Sequence, residues 1–311
     1  MVTWLLGCYD APREAVSALG TPDATRLTGL PLRLPLVKAF LATVALIAGL
    51  GRILPAQEPD PAGRMFTSTD VVFLVSVGAM AITIAPVDAA LAEWTQDTLL
   101  QRNTIYRRSA IFVREVATPG SLIIGGGLYV VGRAVGNERM AELGLHGLEA
   151  LAVGGALTYV LKGTIGRARP YMGLDNPRNL GFLRGFGSED YRSFPSGHTV
   201  MAFAAAAAVS ETTDEWWPNA TWFIGPLLYV GAAATGLSRM FDNKHWASDT
   251  VIGAAIGTFA GLKVMRYHQL EPDNWIDRAF LSITVPLDER GAGAAAISFV
   301  PASALRPVRS R

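Results

Sequence analysis

The chain has 311 residues, half of them hydrophobic, and a formal net charge of +1. That is enough apolar material for one large core, and without an internal repeat nothing divides it into modules. The near-neutral charge and the lack of a dense Lys/Arg patch argue against a nucleic-acid partner, and a single cysteine, Cys8, excludes an internal disulfide.

In chain order, the first feature is "LLGC" around Cys8, whose seven residues are too few for the apolar region of a lipoprotein signal. Next, Arg33 and Lys38 precede an apolar stretch, 39–51, and then small residues around Ala56. That order and length match the core of a signal peptide, so residues 1–57 read as a leader that directs export; the alternative is a buried N-terminal helix.

From there to about residue 270 the hydrophobic spacing predicts helices near 70–86, 88–101, 104–117, 120–134, 138–166, 198–211, 221–237 and 244–267, an all-α, compact multi-helix bundle. Most charge-free runs fall short of the roughly 18 to 20 residues that a membrane span requires; only Trp216 to Ser238 is long enough. Counted that way, the helices favour a soluble or peripheral body over an embedded one. Between Pro170 and Pro195 lies a polar loop of a length that usually has a function. Beyond residue 270, "FLSITVPL" and "AAAISFV" read as two short strands of a β-hairpin in a C-terminal extension, 271–311.

Three stretches within the helical domain, 58–270, carry chemistry. In "KGTIGRARP", Lys162 and Arg169 are seven apart and share a face if the helix continues to Pro170, while Arg167 falls elsewhere with no role. Solvated cations are the ordinary reading of that pair. "SFPSGH" sets Ser196, Gly197 and His198 at the mouth of an Ala-rich helix, where unpaired N–H groups and the helix dipole favour an anion, although an ordinary N-cap has the same letters. In "SRMFDNKHWASD", His245 and Asp249 lie four apart, so that the carboxylate can accept from one ring nitrogen and leave the other as a nucleophile; Arg239 adds a forked donor. The alternative there is a structural His–Asp pair.

Together the three stretches resemble the type 2 phosphatidic acid phosphatase superfamily, in its bacterial phosphatase branch, which also includes the vanadium haloperoxidases. Six residues lie between Lys162 and Arg169-Pro170, Pro195-Ser196-Gly197-His198 follow, and Ser238-Arg239 precede His245 and Asp249 at matching intervals. The resemblance covers about residues 70 to 267. It implies an active site at helix ends in which His245 attacks phosphorus, Asp249 holds its tautomer, and His198 protonates the leaving oxygen and then activates water. Lys162, Arg169, Ser196, Gly197 and Arg239 are then the phosphate ligands, with no metal and no cofactor; vanadate or phosphate fits the same cradle. The implied substrate is a lipid phosphate such as phosphatidate or a polyprenyl diphosphate, or a soluble phosphomonoester, met outside the cytoplasm and with membrane contact. A vanadate-dependent haloperoxidase is the alternative. His146 and His268 read as a packed histidine and a cation at a helix C-terminus.

Overall fold

The computed structural model describes residues 64–281 together with 283–284 and 298–299. The leader and most of the extension lie outside these residues.

Among the described residues the first elements are α1 (Ser68–Ile84), a 3-10 turn through Pro86 and α2 (Asp88–Thr95). Asp70, in the first turn of α1, accepts the Thr67 N–H at 2.7 Å and the Lys263 ammonium at 2.6 Å. The helix expected over 88–101 is two, because Gln96 and Asp97 leave the helix and Asp97 caps a new start by accepting from the Leu99 N–H; α3 (Thr98–Arg102) follows. Then come α4 (Thr104–Glu115), α5 (Ser121–Ala134) and the long α6 (Glu138–Ile165). A looped segment leads to α7 (Gly197–Trp216), α8 (Pro218–Phe241), α9 (Ala247–Leu270) and α10 (Trp275–Phe280), a short helix that the hydrophobic pattern did not predict. Where the hairpin was expected, β1 (Ile283–Thr284) pairs antiparallel with β2 (Ser298–Phe299).

α7 is the centre of this all-α bundle. Val200, Phe203, Ala204, Ala207 and Ala208 are wholly buried, against α6, α8 and α9. The α7–α9 contact is backbone-close: a Cβ on Gly257 would lie 2.3 Å from the Val200 carbonyl oxygen, so the helices meet only because that position is glycine.

The outer surface does not match the expected soluble or peripheral body. Ser68–Thr95, Glu138–Ile165 and Pro218–Phe241 are each long and apolar enough to cross a membrane. Val71, Val75 and Ile82 of α1, Ile123 and Val130 of α5, and Trp222 and Val230 of α8 are all more than 60% exposed. Large apolar side chains exposed on helices long enough to span fit lipid better than water. The protein is a membrane protein by this reading, and counting charge-free runs misled because polar residues inside the spans face protein. Asp88 is fully buried on Arg167, His146 bonds Asp277, and Glu149 bonds His268.

Candidate active site

The site is assembled at the C-terminal ends of α6 and α8 and the N-terminal ends of α7 and α9. Its first organiser is the end of α6. Gly166 takes left-handed angles (φ 59°, ψ 53°), and a Cβ there would stand 1.9 Å from the Gly181 carbonyl oxygen. The helix therefore stops at Ile165. Lys162 and Arg169 do not share a helix face as expected. Residues after Gly166 run extended instead: Ala168 N–H donates to Asn179 O at 2.9 Å, Arg169 N–H to Asp190 O at 2.9 Å, and Ser193 N–H to Arg167 O at 3.0 Å. The polar loop, read from its length as functional, is thereby stitched onto the phosphate-ligand candidates.

Lys162 donates to the Arg192 carbonyl at 2.7 Å, and its Cε lies 3.6 Å from where a Gly197 Cβ would be. It thus borders the mouth of α7. Ser196 stands at the N-cap position of that helix without a side-chain capping bond; its N–H donates to Asp249 O at 3.1 Å, while its hydroxyl accepts from Thr199 at 2.8 Å and keeps its own proton to donate. Arg169 is held by the Glu189 carbonyl at 2.9 Å and Arg239 by Asp242 at 2.8 Å, both guanidinium groups being buried. His198 and His245 meet the same field. Burial, then Arg239, His245 and Lys162, push His198 well below the usual histidine range. Burial, then Lys162, depress His245 likewise, with Arg169 and Arg239 adding to the effect. The three stretches converge, and both imidazoles are neutral near pH 7.

The surroundings of His245 differ from the simple pair in one respect. Its Nδ1 lies 2.6 Å from the Ser193 carbonyl oxygen and 3.7 Å from Asp249 Oδ2. The backbone carbonyl thus fixes the tautomer, with Nδ1 protonated and Nε2 bearing the lone pair, and Asp249 acts through its charge. That carboxylate accepts from the Ser193 hydroxyl at 2.5 Å, the Trp246 N–H at 2.9 Å and Arg167 at 2.6 Å. Burial alone would raise its pKa, but Arg167, His245 and Ser193 hold it well below the usual carboxylate range. Sequence reading missed Ser193, Arg167 and Asp88. Ser193 stands two residues before Pro195, and nothing but its neighbourhood to that motif pointed to it.

A second buried cluster joins α6, α9 and α10. His146 Nε2 and His268 Nδ1 each lie 3.0 Å from a different oxygen of Asp277, His268 Nε2 lies 3.0 Å from Glu149, and the two rings stack at 3.6 Å. His146, His268 and Asp277 are, among the described residues, the group whose ligand atoms lie close enough together, within 4.8 Å, to hold a metal ion. Lys162 is sixteen residues further along α6, roughly 24 Å by helical rise, so this cluster is separate from the phosphate-ligand candidates.

Residues 144–273 match the PAP2 superfamily model. Two relatives are named lipid A 1-phosphatase. The protein from Porphyromonas gingivalis is 42% identical over 69 residues, 22% of this chain and 15% of that one. The protein from Rhizobium etli is 32% identical over 145 residues, 43% of this chain and 56% of that one. The chain therefore spans little more than half the length of either relative at best. The structure also overlays, at a TM-score of 0.48 and 19% identity, on a transmembrane PAP2 type phosphatidylglycerolphosphate phosphatase from Bacillus subtilis, covering 64% of this chain and 95% of that one. The PAP2 match encloses every candidate ligand and both candidate catalytic histidines, but begins well after Asp88.

Proposed function

We propose that this chain is a phosphoric ester hydrolase that removes phosphate from a membrane lipid through a phosphohistidine on His245. The observation that carries the reading is the convergence of Lys162, Arg169 and Arg239 with two neutral imidazoles at the mouth of α7. Two relatives named lipid A 1-phosphatase and the apolar exterior favour a lipid phosphate over a soluble phosphomonoester.

The substrate phosphoryl group occupies the cationic cradle, where Lys162, Arg169, Arg239, the Ser196 hydroxyl and the Gly197 N–H neutralise its equatorial oxygens. His198, which takes up a proton as the anionic phosphoryl group enters beside it, gives the leaving oxygen that proton while His245 Nε2 forms a bond to phosphorus and the bond to that oxygen breaks. The imidazole becomes cationic as it bonds, and Asp249 stabilises that charge from 3.7 Å. Water then attacks phosphorus, giving a proton to His198 as the N–P bond breaks, and phosphate leaves. Fixed cations do the charge stabilisation, so the scheme has no step that needs a metal or cofactor. The signal-like stretch before residue 57 supports a site facing outside the cytoplasm.

The test is hydrolysis by the detergent-purified full chain, with excess chelator, of phosphatidate, a polyprenyl diphosphate, a lipid A 1-phosphate and a small aryl phosphate. The reading expects a lipid phosphate to be preferred and turnover to persist with chelator. Activity restored only by a divalent ion, or confined to the aryl phosphate, overturns it. Vanadate-supported halide oxidation by peroxide would favour the haloperoxidase alternative.

A further inference from the structure

Arg167 has a planar guanidinium with five N–H groups, and the protein uses all of them. Nε donates to the Pro177 carbonyl at 2.8 Å; Nη1 donates to Ser248 Oγ at 2.8 Å and Asp249 Oδ1 at 2.6 Å; Nη2 donates to Asp88 Oδ2 at 2.8 Å and again to Pro177 at 2.7 Å. Nothing is left for a substrate oxygen, so Arg167, although two residues from Arg169, is no phosphate ligand. Its connections lead to the nucleophile instead. Its side chain holds Asp249, and its main-chain oxygen accepts the N–H of Ser193, whose own carbonyl accepts from His245.

Asp88 completes the arrangement from outside the motifs. It is fully buried, its Oδ1 accepts the Ser248 N–H at 2.9 Å and its Oδ2 the Ser248 hydroxyl at 2.5 Å. One guanidinium thus serves two buried carboxylates, and the trio keeps a net negative charge. If Arg167 faced Asp249 alone, the two charges would cancel beside His245. Because Asp88 shares the cation, Asp249 keeps an unbalanced charge for the imidazolium that forms during phosphoryl transfer.

We infer that Arg167 and Asp88 are positioning residues for the reaction, with Arg167 orienting Asp249 and Ser193 around His245 and Asp88 tuning how much of the Asp249 charge reaches the ring. This rests on the phosphohistidine reading. The charged and titratable groups facing the His245–Asp249 pair are Arg167 from the segment after α6, Lys162 from α6, Arg169 from the following loop, His198 from α7, Arg239 from α8 and, through Arg167, Asp88 from α2.

The experiment measures kcat, KM, the pH profile and the vanadate inhibition constant for Arg167→Met, Arg167→Lys, Asp88→Asn and His245→Asn, each checked for monodispersity in detergent. Arg167→Met is expected to lower kcat about 100-fold with KM and vanadate inhibition within about twofold, and to lose activity on the acid side at a higher pH, because Asp249 protonates more easily without its cation. Arg167→Lys retains the charge and not the fork, so the acid limb returns towards the wild-type position while kcat recovers only partly. Asp88→Asn is expected to lower kcat about tenfold without moving the acid limb upward, since the cation then serves Asp249 alone. A purely structural part for the two residues would not move the acid limb upward in one variant and leave it unraised in the other. If Arg167→Met does not fold, Arg167→Lys and Asp88→Asn decide. Wild-type kcat and pH profile in both, or weakened vanadate binding in the Arg167 variants, overturns the inference. His245→Asn keeping full activity instead overturns the phosphohistidine reading, which separates the two failures.

Discussion

Two buried clusters in this protein are built from the same residue types, histidine and carboxylate, and end in opposite states. At His245 one ring nitrogen bonds a neutral carbonyl, the nearest carboxylate stays 3.7 Å away, and Lys162, Arg169 and Arg239 stand around it. Burial and those cations keep the ring neutral, and the carbonyl bond leaves its other nitrogen with the lone pair. At His268 both ring nitrogens lie 3.0 Å from carboxylate oxygens, of Asp277 and Glu149. Burial would lower its pKa, but the two carboxylates prevail and push it up to about 9. One arrangement leaves a neutral ring with a lone pair, the nucleophile of the proposed reaction, and the other makes a clamp that fastens α10 to α6 and α9. What separates them is which partners occupy the nitrogens, since burial is common to both.

Substitutions break the comparison most sharply at the rings themselves. His245→Asn should lower turnover by at least about 10³-fold while leaving the thermal midpoint within a few degrees, read by steady-state kinetics and by unfolding in detergent. Next in size, Arg239→Ala should weaken competitive inhibition by vanadate by roughly 2 to 5 kcal/mol, because a forked donor is removed from a buried anion site. His146→Ala should leave the inhibition constant of the folded protein unchanged. In the second cluster, His268→Ala leaves Asp277 and Glu149 without their cation and should cost roughly 3 to 5 kcal/mol of stability, with turnover per folded molecule retained.

pH supplies the finest contrast, with opposite signs at the two sites. The folded pKa of His268 lies above its ordinary value of 6.5, so its contribution to stability is full below 6.5 and is lost as pH rises through about 9. The folded pKa of His245 lies below 6.5, so its contribution is present above 6.5 and declines as pH falls below it. Thermal midpoints measured from pH 5 to 10 should lose their alkaline decline in His268→Ala and part of their acid decline in His245→Asn.

Much of this was legible in the sequence. The run and order of long helices follow from hydrophobic spacing, and the three stretches contain the candidate residues that lie near one another at the mouth of α7, though not the parts of Ser193 and Arg167. The spacing between Lys162 and Arg169 was read as a helix face, whereas Gly166, the first residue of the stretch's Gly-Arg-Ala-Arg run, ends the helix and turns the cations. Asp88 and Arg167 were not legible as a pair, since 79 residues separate them and only tertiary packing shows that one bonds the other. The membrane-spanning character was missed for the same reason: Asp88, His146 and Glu149 looked like interruptions of apolar runs until their buried partners were seen. α10 is too short for periodicity to mark, and it owes its place to Asn274, which caps it, and to Asp277.

The central claim is that His245 Nε2 bonds phosphorus, and rapid acid-free quenching with a phosphate-labelled lipid substrate tests it most directly. The account predicts one label per chain, stable in base and labile in acid as a phosphoramidate is, accumulating in His198→Ala, where water attack is slowed, and absent in His245→Asn. Label that persists in His245→Asn, or no labelled protein in His198→Ala during observable turnover, would contradict it.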